Sequence, residues 1–303
     1  MSRMQIWAAL TLAMSAAILQ AQAQPRSPAG DLASVEIVSD IPFATVDGHK
    51  LMLDLYLPKG IDDPVLLVWV HGGGWARGAR APVSTVEFVN AGYAMASVDY
   101  RLSGDAPFPA QLHDIKAALR FLRANASQFG FDASRIGILG VSAGAHLAAL
   151  AGVTNGHNEL EGAVGEQSNE SSDITAIVSY FGASNLTSIL DQSTPFGLNI
   201  RVPGLTALFD GPVEERLELA RLASPITHVD SSDPPLLLLH GDQDPQMPIN
   251  QSHELHAAYK AHGLDVHFEV VHGAVHGGPQ FFDAERMTLA VEFLDRHLRP
   301  GQL

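Results

Sequence analysis

Apolar residues recur along the chain in two patterns, and both predict β-strands. The segments VEIVSDIPFAT and LMLDLYLP alternate apolar and polar residues, as antiparallel strands with one wet face do. Continuous apolar runs, typical of parallel strands covered on both faces, follow at PVLLVWV, YAMASV, RIGILG, ITAIVSYF and PPLLLLH. A last strand is predicted at VHFEVV.

Amphipathic segments lie between these strands and predict helices. One of them, PAQLHDIKAALRFLRANASQFG, ends at Gly130, a suitable helix C-terminus. The repeated order of strand and helix predicts an α/β fold, with a mostly parallel central sheet flanked by helices and right-handed crossovers. Residues 155–172 are polar and predict a loop extension, and residues 184–223 predict a small cap-like insertion after the strand that ends near Phe181.

The first residues differ from this pattern. They read MSRMQIWAALTLAMSAAILQAQAQ, with one positive charge at Arg3, an apolar stretch and an A-x-A site at Ala21 to Ala23. This predicts a cleaved secretory signal over residues 1–23, a linker over residues 24–34 and a folded domain over residues 35–303. A retained membrane anchor is the alternative, but the apolar run is shorter than the ~20 residues that span a bilayer. We therefore expect export to the periplasm or the medium, with no stable membrane span after cleavage.

Composition narrows the function classes. A chain of 303 residues that is 46% hydrophobic suits one large globular domain. Its formal net charge of −15 makes nucleic acid and anionic membranes poor partners. Because the chain has no cysteine, it has no disulfide, no thiol nucleophile and no thiolate metal site.

Residues 140 to 144 read GVSAG where one predicted strand ends and a helix begins. The first glycine and the small residues allow a tight, strained turn that holds the oxygen of Ser142 exposed above the sheet edge. Ser142 is thus a candidate nucleophile. The same pattern arises by chance, so the ends of the other strands decide its meaning.

Ligands of open parallel sheets bind outside the carboxyl ends of the strands. The strand PVLLVWV is followed by HGGGW, whose glycine amides can donate to a developing oxyanion, or simply form a flexible turn. Later strands are followed by Asp242 and Asp244, and then by His272 and His276. Serine, acid and histidine in this order is the triad order that accompanies G-x-S-x-G. The histidine would take the proton of the serine, and the acid would orient the imidazole.

Seven motifs together resemble a known family: HGGGW, DYRLS, FPAQLHD, GVSAGAHLAAL, SPITHV, HGDQDPQMP and GAVHGG. From about Phe43 onward, the chain resembles α/β-hydrolase esterases with the oxyanion motif of hormone-sensitive lipase. It is closest to the branch with bifunctional feruloyl and acetyl-xylan esterases. The resemblance implies Ser142 as nucleophile, Asp244 as acid and His276 as base. It implies oxyanion donors at Gly73, Gly74 and Ala143.

Two positions depart from the pattern of this family. Ala145 stands where the family usually has a second glycine, and Val275 stands where it often has a glycine before the histidine. Neither residue replaces a reacting group. Asp244 is also favoured over Asp242 because Pro245 stiffens its loop.

The family resemblance implies a serine esterase that forms an acyl-enzyme at Ser142 and needs no cofactor and no metal. With the predicted signal, its substrates would be small esters or esterified polysaccharides met outside the cytoplasm, such as short acyl, acetyl or feruloyl esters. A serine peptidase on the same scaffold is one alternative. A non-catalytic ligand-binding protein that keeps the hydrolase fold is another.

Several further side chains have candidate roles. Four aromatic residues could line an acyl or aromatic pocket or simply pack: Trp75, Phe181, Phe196 and Phe209. We expect His71 to hold the glycine loop, and residues 99–101 to form a buried polar brace. His253 and His256 have helical neighbour spacing, but the flanking pattern favours a surface helix over a metal site.

Overall fold

The computed structural model of the protein describes residues 32–80 and 86–301. The predicted signal peptide and most of the predicted linker therefore lie outside the described residues. The last residues of that linker form a short 3₁₀ turn at Leu32–Ser34, directly before the first strand. Within the described ranges, no helix combines the length and the apolar character that a membrane crossing requires.

Eight strands form a single sheet in the described part of the chain. They are β1 (Val35–Val46), β2 (His49–Pro58), β3 (Val65–Val70), β4 (Ala94–Val98), β5 (Asp132–Val141), β6 (Ala176–Tyr180), β7 (Leu236–Gly241) and β8 (Val266–Val271). Their order in the sheet is β1-β2-β4-β3-β5-β6-β7-β8. Strand β2 pairs antiparallel with β1 and β4, and all other pairs are parallel. The mostly parallel sheet predicted from the hydrophobic pattern is thereby confirmed.

Helices cover both faces of this sheet. They are α1 (Val86–Asn90), α2 (Ala110–Ala124), α3 (Ala126–Phe129), α4 (Ala143–Gly152), α5 (Asn158–Glu161), α6 (Ile189–Gln192), α7 (Pro195–Phe209), α8 (Leu217–Leu222), α9 (Asn250–Ala261) and α10 (Ala284–Leu298). Because successive strand side chains point to opposite faces, Leu66 and Val68 of β3 enter one apolar core, whereas Leu67 and Trp69 enter another. The first core includes residues of α2, α4 and α9, and the second includes residues of α1 and α10.

The helix expected to run to Gly130 is divided in the structure. Helix α2 ends at Ala124, and the single turn α3 follows after Asn125. The side-chain amide of Asn125 donates to the carbonyl oxygen of Phe121 at 2.7 Å, alongside its own backbone N–H at 3.1 Å. Such side-chain competition favours a helix end. Gly130 then caps α3 with a left-handed φ of 74°.

The two segments that interrupt the strand–helix order contain short helices. Residues 155–172 include α5, whose Glu161 binds the buried Lys116 at 3.1 Å and also Arg120, both on α2. These ion pairs attach the extension to the body of the fold. Residues 184–223 lie between β6 and β7 and contain α6, α7, a 3₁₀ turn at Val213–Glu215 and α8.

Candidate active site

Ser142 lies in the sharp turn between β5 and α4. Its backbone is left-handed, with φ 54° and ψ −119°, a strained conformation for a residue with a β-carbon. The glycines on either side of the serine leave room for the close backbone approach that this turn requires. A β-carbon on Gly140 would lie 2.4 Å from the carbonyl carbon of Gly144, and one on Gly144 would lie 2.2 Å from the carbonyl oxygen of Val70. The two glycines thus permit close packing, while the serine itself takes the unusual backbone angle.

A chain of hydrogen bonds joins Ser142 to the loops after β7 and β8. The Nε2 atom of His276 lies 2.8 Å from Ser142 Oγ, and its Nδ1 atom donates to Asp244 Oδ2 at 2.6 Å. The structure therefore brings together the three side chains that the family resemblance assigned to a triad. The sequence predicted an exposed serine oxygen, but Ser142 is only 9% exposed in the structure. His276 and the glycine loop lie against it.

Burial and hydrogen bonding set the charges of this chain. Burial lowers the pKa of His276 below its ordinary value of 6.5, although the hydrogen bond to Asp244 and the charge of Asp244 oppose the shift. Burial would raise the pKa of Asp244, but hydrogen bonds from His240 and His276 hold it well below 3.8. At neutral pH the imidazole is consequently neutral and the carboxylate charged, as a general base and its orienting acid must be.

His240, at the end of β7, supports Asp244 and had no predicted role. Its buried Nε2 atom donates to the carbonyl oxygen of Met247 at 3.1 Å and lies 3.4 Å from Asp244 Oδ2. Ser252 donates to its Nδ1 atom at 2.7 Å. The sequence did contain an indication of this role, because His240 is the first residue of the HGDQDPQMP motif.

The alternative acid and base form a separate pair. His272 Nδ1 donates to Asp242 Oδ2 at 2.8 Å, and the side chain of His272 is 84% exposed. Asp242 also accepts the backbone N–H of Gly273 at 2.7 Å. This pair lies at the surface, whereas Asp244 and His276 are the pair bonded to Ser142.

The glycine loop after β3 lies beside Ser142. A β-carbon on Gly72 would be 3.4 Å from the β-carbon of Ser142. Gly73 and Gly74 have left-handed φ values of 120° and 62°, and a β-carbon on Gly73 would lie 2.0 Å from the carbonyl oxygen of Arg77. Only glycine fits such a position.

Backbone amides of the glycine loop and of helix α4 are the candidate donors to an oxyanion. Within residues 32–80 and 86–301, the N–H groups of Gly73, Gly74 and Ala143 donate no hydrogen bond. Ala143 is also the first residue of α4, where the helix dipole favours negative charge. The assignment of these residues as oxyanion donors stays a prediction.

Buried side chains hold the glycine loop. His71 donates through Nδ1 to the carbonyl oxygen of Gly72 at 2.8 Å. The ring of Tyr100 stacks on that of His71 at 4.3 Å, and its hydroxyl donates to the His71 carbonyl at 3.0 Å. The neighbouring Arg101 binds Asp114 of α2 at 2.8 Å. His71 and Tyr100 thus hold the glycine loop, and Arg101 joins the segment after β4 to α2.

Trp75 ties the same loop to two other elements. Its indole Nε1 donates to Nδ1 of His146 on α4 at 3.1 Å, and His146 Nε2 donates to the carbonyl oxygen of Ala223 at 2.6 Å. Burial lowers the pKa of His146 to about 4, so this ring is neutral at neutral pH. No role was predicted for His146, which directly follows GVSAGA in the sequence.

The four aromatic pocket candidates lie in different surroundings. Phe181 contacts the ring of His276, with 4.9 Å between the ring centroids. Trp75 and Phe209 are fully buried in the core, and Phe196 is half-exposed at the start of α7. Phe181 is therefore the candidate next to the triad. A pocket role for the four residues stays a prediction.

The histidines of α9 have apolar neighbours. The rings of His253 and His256 contact that of Phe268, at centroid distances of 5.0 and 6.0 Å. Across the described part of the chain, no group of at least three histidine, aspartate or glutamate side chains is arranged to hold a metal ion.

The site around Ser142 and His276 can remove a proton from a hydroxyl and bind an anionic oxygen.

The sequence of this chain matches a known protein family and several characterised relatives. The model of the BD-FAE family matches residues 53–259. Esterase LipC of Mycobacterium tuberculosis is 32% identical over 212 residues, which are 68% of this chain and 51% of LipC. Esterase LipQ of the same organism is 32% identical over 237 residues, which are 74% of this chain and 53% of LipQ. The chain spans about half the length of these curated relatives.

Solved structures show the same fold. A truncated carbohydrate esterase from gut microbiota has a TM-score of 0.79 and 31% identity, with 90% of this chain and 99% of that chain covered. A bifunctional GH43-CE protein of Bacteroides eggerthii has a TM-score of 0.79 and 35% identity, with 86% of this chain and 35% of that chain covered. These matches confirm the α/β-hydrolase fold and the resemblance to hormone-sensitive-lipase-like esterases. The chain belongs to the BD-FAE family.

Proposed function

We propose that this protein is a serine carboxylic-ester hydrolase that forms an acyl-enzyme at Ser142 and uses no cofactor. The observation that carries this proposal is the continuous hydrogen-bonded chain from Asp244 through His276 to Ser142. The amides of Gly73, Gly74 and Ala143, which donate no hydrogen bond within the described residues, and the esterase relatives LipC and LipQ support the same conclusion.

In the first half of the reaction, the Oγ atom of Ser142 attacks the ester carbonyl carbon while His276 Nε2 accepts the hydroxyl proton. The carbonyl oxygen becomes an oxyanion, which the amides of Gly73, Gly74 and Ala143 bind. Each such donor is worth roughly 3 kcal/mol in hydrolases. The intermediate collapses, the ester C–O bond breaks, and His276 returns the proton to the leaving alcohol.

In the second half, water attacks the acyl group on Ser142, and His276 Nε2 takes the proton of that water. Collapse of the second intermediate breaks the bond to Ser142 Oγ and releases a carboxylic acid. His276 returns its proton to Ser142. Because Asp244 keeps the imidazole in one tautomer, Nε2 faces Ser142 throughout the cycle.

Acetyl or feruloyl esters of polysaccharides, and short acyl esters in general, are the proposed substrates. The names of two similar structures, a carbohydrate esterase and a GH43-CE protein, support the polysaccharide part. The predicted signal over residues 1–23 supports export, where such polymers are met. Export and substrate class rest on these indications together.

A rate comparison between the mature protein and Ser142→Ala tests the proposal. Initial rates are measured on p-nitrophenyl acetate, longer acyl esters, methyl ferulate and acetylated xylan. We expect wild type to hydrolyse the short esters and Ser142→Ala to be inactive on all of them. The ratio of ferulate to acetyl-xylan rates then assigns the substrate branch. Wild type that is inert toward every ester would instead favour the non-catalytic alternative.

A further inference from the structure

Arg201 is a buried cation that forms no ion pair with the described residues. It is the one charged residue in the sequence of helix α7, PFGLNIRVPGLTALF, and it is 2% exposed. Its Nε and Nη1 atoms are buried and form no hydrogen bond, and no carboxylate of the described residues lies within ion-pair distance of the guanidinium. A charge without partners inside a protein is costly, so its presence needs an explanation.

The position of α7 places this cation over the active site. Near the start of the helix, a β-carbon on Gly197 would lie 3.0 Å from the carbonyl oxygen of Pro245, in the loop of the triad acid. Near its end, a β-carbon on Gly204 would lie 3.8 Å from the carbonyl oxygen of Gly74. Positions 197, 201 and 204 share one helix face. Arg201 therefore projects from the face that spans the acid loop and the glycine loop.

Contacts of the guanidinium agree with this placement. Its Cζ atom lies 6.0 Å from the ring centroid of Trp75, which directly follows the glycine loop. Burial lowers the pKa of Arg201 to about 10, and the charge of Asp244 opposes that shift. The group is protonated at neutral pH. Asp244 forms no ion pair with Arg201, and its carboxylate oxygens accept hydrogen bonds from His276 and from the amides of Gln246 and Met247.

We propose that Arg201 binds a carboxylate of the substrate, so that esters carrying a carboxylate are the preferred substrates of this site. The inference rests on the proposed ester hydrolysis at Ser142. A guanidinium presents N–H groups in a fork that matches the two oxygens of a carboxylate. Within the described residues Arg201 donates no side-chain hydrogen bond through Nε, Nη1 or Nη2. A carboxylate placed against Nε and Nη2, or against the two Nη groups, would therefore supply acceptors to this guanidinium.

The carboxylate can belong to the acyl part or to the alcohol part of the ester, and two substrate pairs distinguish these sources. For the acyl part, monoethyl succinate is compared with its neutral isostere ethyl 4-methylpentanoate. For the alcohol part, 3-acetoxypropanoate is compared with its neutral isostere 3-methylbutyl acetate. The readout is the ratio of kcat/KM for the charged and neutral members, so a general change in activity cancels.

We expect wild type to prefer the charged member of one pair by about tenfold or more, as charge-assisted hydrogen bonds imply. Arg201→Met should abolish the preference, and Arg201→Lys should retain part of it because the charge remains without the fork. Arg221→Gln is the matched control, since this exposed arginine pairs with Glu218 of its own helix. It should leave the ratio unchanged. Equal ratios in wild type and Arg201→Met would overturn the proposal.

Two further measurements keep the inference separate from catalysis and from folding. Monoethyl succinate and 3-acetoxypropanoate are titrated calorimetrically into Ser142→Ala and into the double variant Ser142→Ala/Arg201→Met. The first protein should bind one of the two esters, and the double variant should bind neither. Equal binding by both proteins, or none by either, would contradict the proposal even if no ester is hydrolysed. The melting temperature of Arg201→Met should equal or exceed that of wild type, because an unpartnered charge is removed. A lower value would indicate a structural role for Arg201.

Discussion

At the scale of single residues, two Asp–His pairs that join the loop after β7 to the loop after β8 differ in their surroundings. Asp244 pairs with His276 in the interior and is joined to Ser142, whereas Asp242 pairs with His272 at the surface. We expect Asp244→Asn to lower kcat for p-nitrophenyl acetate by roughly 10⁴-fold, because the imidazole loses its required tautomer. Asp242→Asn should leave kcat essentially unchanged. A larger loss from Asp242→Asn would show that the acid has been assigned wrongly.

The same pairs show what the sequence can and cannot say about the site. The motifs placed two acids and two histidines at the right strand ends, and a family resemblance was needed to choose between them. What separates them physically is burial and support: His240 and two backbone amides hold Asp244. These contacts depend on loop conformation, which no local pattern encodes. That Arg201 has no ion-pair partner among the described residues is likewise visible only in the folded structure.

At the scale of elements, the junction of β5, α4 and β3 depends on the second glycine of GVSAG. A β-carbon on Gly144 would lie 2.2 Å from the carbonyl oxygen of Val70 and 2.4 Å from that of His71. Neither backbone can yield without moving a central strand. We expect Gly144→Ala to lower the free energy of unfolding by about 3 kcal/mol or more, measured by urea denaturation, and to abolish esterase activity.

Gly104→Ala provides the matched control. Gly104 lies in an exposed turn, has no left-handed φ, and would have no neighbour within 4 Å of a new β-carbon. Its substitution should change the free energy of unfolding by less than about 0.5 kcal/mol. Equal effects of the two substitutions would rule out close packing as the reason for Gly144.

Element boundaries were less predictable than element types. Continuous apolar runs identified the buried strands because a strand covered on both faces has no polar side. The division between α2 and α3 was not predicted, because it depends on one side-chain hydrogen bond of Asn125 that leaves the amphipathic pattern intact. The helices inside residues 155–172 and 184–223 were also not delimited. Their stability comes from tertiary contacts such as those of Glu161.

At the scale of the whole molecule, buried neutral histidines link stability to pH. The pKa of His146 is about 4 in the folded protein, against an ordinary 6.5, because of burial. Between these values the unfolded chain binds a proton that the folded chain does not, so stability falls as pH falls. From about pH 7 to about pH 5, His146 alone should cost about 2 kcal/mol.

Urea denaturation of wild type and His146→Asn at both pH values tests this linkage. The substitution should destabilise the protein at neutral pH, since the ring joins Trp75 to Ala223. The loss of stability on acidification should nevertheless be about 2 kcal/mol smaller in the variant. An identical pH dependence in both proteins would mean that His146 does not carry this effect.

The overall architecture was the most predictable level. Alternating strands at the start, continuous apolar runs afterwards and intervening helices determine a mixed sheet with one antiparallel edge, because each pattern allows one kind of burial. The position of the insertion, residues 184–223, over the acid loop and the glycine loop could be predicted only in part from the sequence. It depends on close contacts at Gly197 and Gly204 that are made across the site.

The most direct test of the central claim is covalent labelling of Ser142. The mature protein is treated with an alkyl p-nitrophenyl phosphonate, which serine nucleophiles displace irreversibly, and the labelled peptide is identified by mass spectrometry. We predict one phosphonyl group on Ser142, a parallel loss of hydrolysis of p-nitrophenyl acetate, and no labelling of Ser142→Ala. Full hydrolytic activity after Ser142 is labelled, or a label on another residue that accounts for the lost activity, would contradict an acyl-enzyme at Ser142.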